Sequence, residues 1–243
     1  MNTLLYGHPG RLCAPLSVHC QPGGVGAILG ASGLGKSTLL DTLTGVLPPL
    51  SGTFSIEGGI GIVPQTFRPA FAWSVHEVVL MGRARHVSLF AVPSKDDEAR
   101  VDAALAHLNI SHLTHTPFRN LSGGQQQLVM IARALVSGNR NILLDEPCSA
   151  LDLSNQQVVL QLISDLAHRQ SRSVIFTTHD PTHALQVANH TLLLLPDQQW
   201  LAGMTQDLLT EENLQRAYGL PVRKLAITDY TCPVLAPLFD IRR

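Results

Sequence analysis

One short stretch restricts this chain more than any other, because it joins a buried strand to a helix through glycines. Residues 30–38 read GASGLGKST and fit the pattern G-x-x-x-x-G-K-[ST]. Glycines at these positions let backbone N–H groups turn toward bound phosphate oxygens, an approach that side chains would block. The flanks agree, since Val25–Leu29 has the composition of a buried strand and leucines at helical spacing follow until Gly45. The sequence therefore predicts a phosphate-binding loop between a strand and a helix.

The residue types in this loop suit a nucleoside triphosphate. Lys36 supplies a mobile cation for the β and γ phosphates, and the Ser37 hydroxyl is a candidate ligand for Mg²⁺. The helix that begins near Lys36 also directs the positive end of its dipole at the same oxygens. We therefore expect the whole loop to contact the nucleotide, namely Gly30, Ala31, Ser32, Gly33, Leu34, Gly35, Lys36, Ser37 and Thr38.

The size and charge of the chain exclude several classes of protein. Its 243 residues suffice for one α/β domain, and a hydrophobic content of 45% supports a well-filled core. The apolar runs are far too short to span a bilayer, and the N-terminus lacks the features of a signal peptide. We therefore expect a soluble protein whose membrane role would need a partner. A net charge of −1 without a dense Lys or Arg run argues against a nucleic-acid partner.

Cysteine and histidine give weak signals. The four cysteines form no C-x-x-C pair, so we expect reduced thiols and neither a zinc site nor disulfides. The histidines His107, His112 and His115 have two interpretations, a metal-ligand set or a solvated surface cluster. Their spacing straddles a predicted helix end at Asn109, so no regular element would direct all three to one point. The spacing favours the surface cluster.

The rest of the chain alternates as a parallel α/β sheet does, with a helical block inserted. Strands are expected at residues 51–57, 60–63, 142–144 and 174–178, and helices at residues 154–168 and 211–218. No strand signal interrupts residues 71–135, where Ser94 is the expected cap of one helix, with Asp97 three residues later. We therefore predict a single domain over residues 1–243, with a helical subdomain at about 71–135.

Candidate catalytic groups follow the predicted strand at 142–144. Asp145 and Glu146 stand where parallel sheets bind ligands, at a carboxyl end. In a phosphate-loop enzyme the first acid holds Mg²⁺, and the second can polarise a water for attack on the γ phosphate. A second anion-binding geometry is predicted at residues 122–124, Ser-Gly-Gly, which open a helix with bare amides. Tyr6 has two interpretations, an aromatic that stacks on adenine or a strand aromatic that fills the edge of the core.

The order of these motifs resembles that of the ATP-binding-cassette (ABC) ATPases over nearly the whole chain. Residues 30–38 are similar to the family's Walker A segment, and residues 142–146 to its Walker B segment. Residues 121–125 read LSGGQ, like the family's signature, and residues 149–152 resemble its D-loop. Gln65 stands at the position of the Q-loop, and His179 at that of the switch histidine. The resemblance implies an α/β phosphate-loop NTPase with a mixed, mainly parallel sheet and an inserted helical subdomain.

The resemblance also assigns roles. Two copies would face each other head to tail, with ATP between the Lys36 loop of one copy and the signature turn of the other. Glu146 would position the attacking water, while His179 would hold it in line with the γ phosphate. Gln65 would contact Mg²⁺, together with Ser37 and Asp145. The residues acting in trans would be Leu121, Ser122, Gly123, Gly124, Gln125 and Asp152, and the catalytic set Lys36, Gln65, Glu146 and His179.

Finer likenesses point to a branch of the family. Residues 78–83, VVLMGR, resemble the ATPases of iron-chelate and cobalamin importers, and residues 71–75 and 141–153 are similar to the molybdate and tungstate type. This implies a peripheral subunit on the cytoplasmic face of the inner membrane, bound to a permease dimer that a periplasmic or extracellular substrate-binding protein serves. The solute would be a molybdate or tungstate oxyanion, or an iron chelate, cobalamin or haem. The alternative is a non-transport ATPase of the kind used in iron–sulfur cluster assembly.

Overall fold

Parallel strands form the centre of each of the two units into which the chain divides. The computed structural model describes residues 1–7, 14–20, 22–88, 91–229 and 232–239. The first unit, called here the loop unit, combines residues 1–57 with 160–243. The second, called the helical unit, spans residues 58–159. The predicted helical subdomain at about 71–135 falls inside the helical unit, while one domain over residues 1–243 stays a prediction.

Strands and helices alternate along the described residues. In chain order the elements are β1 (Asn2–Leu5), β2 (Val25–Leu29), α1 (Lys36–Leu43), β3 (Ser51–Thr53), β4 (Ile60–Val63), α2 (Val75–Leu80), α3 (Lys95–His107), α4 (Gly123–Val136), β5 (Asn141–Leu144), α5 (Leu153–His168), β6 (Ser173–Thr178), α6 (Pro181–Val187), β7 (His190–Leu194), β8 (Trp200–Met204), α7 (Thr205–Leu208), α8 (Glu211–Tyr218), β9 (Val222–Leu225) and β10 (Val234–Pro237). Short 3-10 helices lie at Met81–His86, Ser111–Leu113 and Phe118–Asn120.

The sheet of the loop unit is built around β2. This strand pairs in parallel with β6 and with β7, and β8 runs antiparallel to β7. Leu29 lies opposite both Thr178 and Leu193, so the three parallel strands end at one edge. Two antiparallel pairs, β1 with β3 and β9 with β10, belong to the same unit. The loop unit therefore presents the residues that follow β2 and β6 side by side.

The helical unit contains one parallel pair of strands, β4 and β5, and the helices α2, α3 and α4. Val63 lies opposite Leu144, so this pair also ends at a common edge. The three helices begin alike. The hydroxyl of an N-cap serine accepts a hydrogen bond from the backbone N–H of the third helical residue, and the side chain of that residue accepts one from the backbone N–H of the serine. The capping pairs are Ser74 with Glu77, Ser94 with Asp97, and Ser122 with Gln125. The predicted cap at Ser94 is confirmed.

A buried ion pair fixes α3 within the helical unit. Arg83 donates from Nε to Asp97 at 2.7 Å and from Nη1 to the Val136 carbonyl at 2.9 Å. Asp97 also accepts the hydroxyl of Ser94 at 2.7 Å. These contacts, the Ser94 hydroxyl first and the Arg83 guanidinium next, hold the pKa of the Asp97 carboxyl well below its usual range. The Asp97 carboxylate thereby joins the start of α3 to the 3-10 helix before it, and the Arg83 guanidinium joins that 3-10 helix to the end of α4.

Most predicted elements are confirmed, and the differences lie in the bounds of one strand and in strands that the sequence did not reveal. The strand expected over 51–57 covers only Ser51–Thr53, and its Gly52 has a φ of 77° that ordinary strand residues do not adopt. The sequence analysis did not identify β7, β8, β9 or β10, and the last three do not alternate clearly between apolar and polar residues. Their pairings depend on partners elsewhere in the chain and not on their own pattern.

Gly82 permits the closest backbone approach in the helical unit and supplies a test of its packing. A Cβ at this position would collide with the Arg133 carbonyl oxygen and lie 2.7 Å from Cγ2 of Val136. We expect Gly82→Ala to lower the free energy of unfolding by about 1–3 kcal/mol, because both obstacles belong to the packed helix α4. Urea unfolding followed by circular dichroism measures the change.

Gly203 provides the control for this substitution. Nothing lies within 4 Å of a Cβ built there. Gly203→Ala should therefore change the free energy of unfolding by no more than about 0.5 kcal/mol. Equal effects of the two substitutions would contradict the packing described for Gly82.

Candidate active site

The predicted phosphate loop lies between β2 and α1 and has the expected shape. Gly33 and Gly35 have φ values of 85° and 83°, in the left-handed region that favours glycine. A Cβ at Gly33 would meet nothing within 4 Å, so that glycine is required for its conformation and not for space. Gly35 caps α1 without any side-chain hydrogen bond, which leaves the first N–H groups of the helix available to a ligand. The loop is therefore built to receive an anion.

Lys36 is held over this loop. Its side chain is 6% exposed, and Nζ donates to the carbonyl oxygens of Gly30 at 2.9 Å and Ala31 at 3.1 Å. An ammonium that is already desolvated and oriented interacts more strongly with an incoming phosphate than a mobile surface lysine does. Lys36 thus forms the cationic part of the loop.

His179 follows the strand next to the loop. Because Leu29 and Thr178 are opposite each other, Gly30 and His179 are the first residues beyond neighbouring strand ends. The His179 side chain is exposed at this edge. The loop unit therefore brings its two predicted groups, the phosphate loop and His179, to one edge of its sheet.

The helical unit likewise places its candidate groups, two of them acidic, just beyond the ends of neighbouring parallel strands. The Asp145 N–H donates to the Val63 carbonyl at 2.9 Å, which ties the end of β5 to the end of β4. Gln65 lies two residues beyond Val63, while Asp145 and Glu146 follow Leu144 directly. One edge of the helical unit therefore carries an amide and two half-buried carboxylates.

Glu146 adopts an uncommon backbone conformation. Its φ is 47°, which few residues other than glycine adopt. The Glu146 carbonyl accepts hydrogen bonds from the Ser149 N–H at 3.2 Å and the Ser149 hydroxyl at 3.0 Å, and these bonds stabilise the turn. Such strain is maintained at functional sites more often than elsewhere.

The signature turn and the D-loop are in contact within the helical unit. A Cβ at Gly124 would lie 2.7 Å from Cγ of Asn155, so the absence of a side chain lets Asn155 approach in its observed conformation. Asn155 in turn donates from its backbone N and its Nδ2 to the Asp152 carboxylate, at 2.8 and 3.0 Å. Asn155 therefore links Asp152 to the first turn of α4. The sequence analysis missed Asn155, although its position three residues after Asp152 at the start of a predicted helix is a recognisable capping signal.

An aromatic contact and a cation–π contact hold the segment after Gln65 in place. The ring of Phe67 meets that of Phe118 edge to face at 5.5 Å between centroids, and the Arg133 guanidinium lies 4.8 Å above the Phe67 ring. Burial lowers the pKa of Arg133. The sequence analysis missed these three residues, because nothing in their local pattern indicates that they meet.

The burial of Tyr6 corrects one of the predictions. Its side chain is 0% exposed and is among the largest fully buried side chains of the chain. The adenine-stacking interpretation is therefore wrong, because a ring with no exposed face cannot receive a base. The alternative, a strand aromatic in the core, agrees with the structure.

The remaining candidate ligands are spread over the surface and the core. His107, His112 and His115 are all exposed. Across the described ranges, no group of three or more His, Cys, Asp and Glu side chains could hold a metal ion. Among the described residues no disulfide involves Cys20, Cys148 or Cys232, and Cys13 lies outside the described residues. None of the helices in the described part of the chain has the length and hydropathy needed to cross a membrane.

Comparison with known proteins decides the family. Residues 13–149 match the family model described as ABC transporter. The chain belongs to the ABC transporter family. The molybdate import ATP-binding protein MolC of Haemophilus influenzae is 47% identical over 207 residues, which cover 85% of this chain and 81% of that protein. The hemin import ATP-binding protein HmuV of Gloeobacter violaceus is 32% identical, covering 93% of this chain and 89% of the relative.

A solved structure agrees with these relatives. A metal-chelate type ABC transporter in an inward-facing conformation matches with a TM-score of 0.90 and 43% identity, over 94% of this chain and 91% of that one. The predicted α/β ABC ATPase fold is confirmed. This ABC family member is an ATP-hydrolysing subunit of an importer, as the sequence predicted.

The position of Lys36 leads to a prediction about ATP affinity. We expect Lys36→Ala to weaken ATP binding by about 10- to 100-fold, because hydrogen bonds to charged groups contribute roughly 1.5–3 kcal/mol. Titration with a fluorescent ATP analogue measures the affinity. Lys95→Ala is the matched control, since Lys95 is also the first residue of a helix but is exposed. Equal ATP affinity in the two variants would contradict the role of the loop.

Proposed function

We propose that the importer energised by this chain takes up a metal-containing solute, with molybdate or tungstate as the first choice and an iron chelate, cobalamin or haem as the second. The observation that carries this choice is the 47% identity to a molybdate import ATP-binding protein over 85% of the chain. The hemin import relative and an iron chelatin relative from Helicobacter pylori are only 32% and 33% identical. These import relatives also favour this function over a role in iron–sulfur cluster assembly.

The partners follow from this assignment. The ATPase would act as a dimer, bound to a permease dimer on the cytoplasmic face of the inner membrane. A periplasmic or extracellular substrate-binding protein would deliver the solute to the permease. Closing the ATPase dimer on ATP would then move the permease between its two states.

Two copies of the chain would assemble head to tail around ATP. Lys36 and the amides of residues 30–38 would hold the triphosphate on one copy. The signature turn of the other copy, residues 121–125, would close over it together with Asp152. The contact of Gly124 with Asn155, and of Asn155 with Asp152, supports this pairing of roles, because it places the two proposed trans-acting segments next to each other on one surface.

The proposed donors suit Mg²⁺. Ser37 offers a hydroxyl, Gln65 an amide oxygen and Asp145 a carboxylate, and hard oxygen donors of this kind are what Mg²⁺ prefers. Bound there, Mg²⁺ would neutralise charge on the phosphate oxygens. Two of these donors, Gln65 and Asp145, stand beyond paired strand ends of the helical unit.

Hydrolysis would depend on Glu146 and His179. The Glu146 carboxylate would accept a proton from the attacking water, and the turn that constrains its main chain supports that role because it fixes the position from which the side chain projects. His179, exposed beside the phosphate loop, would donate a hydrogen bond to the γ phosphate. Gln65 would report the state of the site to the permease.

The shared site gives a prediction about assembly. Glu146→Gln should bind ATP but lose at least about 100-fold in turnover, since general bases contribute roughly 10²–10⁴-fold. That variant should accumulate as an ATP-bound dimer, detected by size-exclusion chromatography with light scattering. Adding Ser122→Arg should prevent the dimer while each copy still binds ATP, because the new side chain would occupy the space of the trans phosphate contacts. A dimer that forms despite Ser122→Arg would contradict the shared site.

Reconstitution tests the solute. The purified chain, combined in proteoliposomes with its permease and binding protein, should hydrolyse ATP faster when molybdate or tungstate is supplied. Iron chelates, cobalamin and haem are the comparison solutes, and the Glu146→Gln variant sets the baseline. Stimulation by an iron chelate and not by either oxyanion would overturn the first choice. Failure to copurify with any polytopic membrane protein would favour the iron–sulfur assembly alternative.

A further inference from the structure

His179 is exposed, yet the main chain on either side of it is tightly held. The preceding residue, Thr178, ends β6 and is 4% exposed. Its hydroxyl accepts the N–H of Asp180 at 3.0 Å. Asp180 then caps α6 by accepting the N–H of Thr182 at 2.8 Å. The backbone is therefore fixed immediately before and after His179.

A third contact reaches His179 itself from the far end of the chain. The hydroxyl of Tyr218 donates to the His179 carbonyl oxygen at 2.9 Å. Tyr218 is the last residue of α8, which ends at Gly219 with a φ of 71°. The ring is half-buried, and its neighbours on the helix, Leu214 and Ala217, are both 0% exposed. The packing of Leu214 and Ala217 holds the end of α8 in place, so the Tyr218 hydroxyl projects toward His179 from an anchored helix.

We propose that Tyr218 is a positioning residue for His179. The inference rests on the role proposed above for His179 in hydrolysis. By holding the carbonyl of His179, the Tyr218 hydroxyl fixes the peptide plane from which the imidazole projects. Displacing a group that must meet the γ phosphate by even about 1 Å can cost roughly 10²-fold in rate. A helix that contains none of the family motifs thereby contributes to the geometry of the reaction.

The contact predicts a specific kinetic effect. Tyr218→Phe removes the hydroxyl and keeps the ring, so it should lower kcat by about 2- to 10-fold, the effect of one hydrogen bond. The KM for ATP should change by less than about twofold, because the phosphate loop is unaffected. If Tyr218 acts through His179, adding Tyr218→Phe to a His179→Ala chain should not lower kcat further. An additive loss, or an unchanged kcat in the single variant, would overturn the proposal.

A second measurement does not depend on catalysis. Hydrogen–deuterium exchange of the peptide that covers residues 178–185 should be about 2- to 10-fold faster in full-length Tyr218→Phe. Arg223→Gln is the matched control, because it breaks an exposed ion pair with Glu211 at the other end of α8. It should leave both the exchange and kcat unchanged.

The two measurements separate the possible failures. If His179→Ala keeps full kcat, the role proposed for His179 is wrong, and the exchange experiment alone decides whether Tyr218 fixes the main chain. Unchanged exchange in Tyr218→Phe would overturn the inference whatever the kinetics. An equal rise in exchange for Arg223→Gln would also overturn it, since loosening α8 would then be the cause.

Discussion

The arrangement of the loop unit depends on one requirement of a phosphate loop, namely that backbone amides without side chains must be able to approach a phosphate closely. Amides can approach so closely only where the chain leaves a strand and enters a helix without side chains in the way. Gly33 and Gly35 allow this approach because they adopt left-handed conformations, and the buried Lys36 side chain donates a hydrogen bond to the main chain of the same loop. The loop then requires a strand that ends at the correct edge, and β2 provides it between two parallel neighbours. The position of His179 follows from this arrangement, because β6 ends beside β2.

The candidate functional groups of the two units differ in their chemistry. The loop unit holds Lys36 and the amides of the predicted phosphate loop, together with His179. The helical unit holds the carboxylates, Gln65 and the signature turn. In each unit the groups stand at the ends of parallel strands or at the start of a capped helix, where backbone groups are unpaired and side chains can meet a ligand. Buried contacts such as Arg83 with Asp97 hold the supporting helices in position.

The sequence predicted those features that are encoded locally. Apolar runs gave the strands Val25–Leu29 and Ile60–Val63 with their observed bounds, and the Ser94 cap follows from spacing alone. Features that depend on distant partners could not be predicted. Tyr6 has the same local pattern whether it is buried or stacked on a base, and only the folded chain distinguishes the two. Phe67, Arg133 and Tyr218 contact residues far away in sequence, so no local pattern reveals them.

The glycine at position 124 has a consequence for how the proposed dimer would form. Because α4 begins in direct contact with Asn155, and Asn155 holds Asp152, this surface is already ordered in a single copy. Little conformational entropy then remains to be lost when a second copy arrives. The free energy of the contacts with the second copy, and of its contacts with the bound triphosphate, would then be offset by a smaller ordering cost. A preorganised surface of this kind would let two copies meet and separate repeatedly without either one refolding.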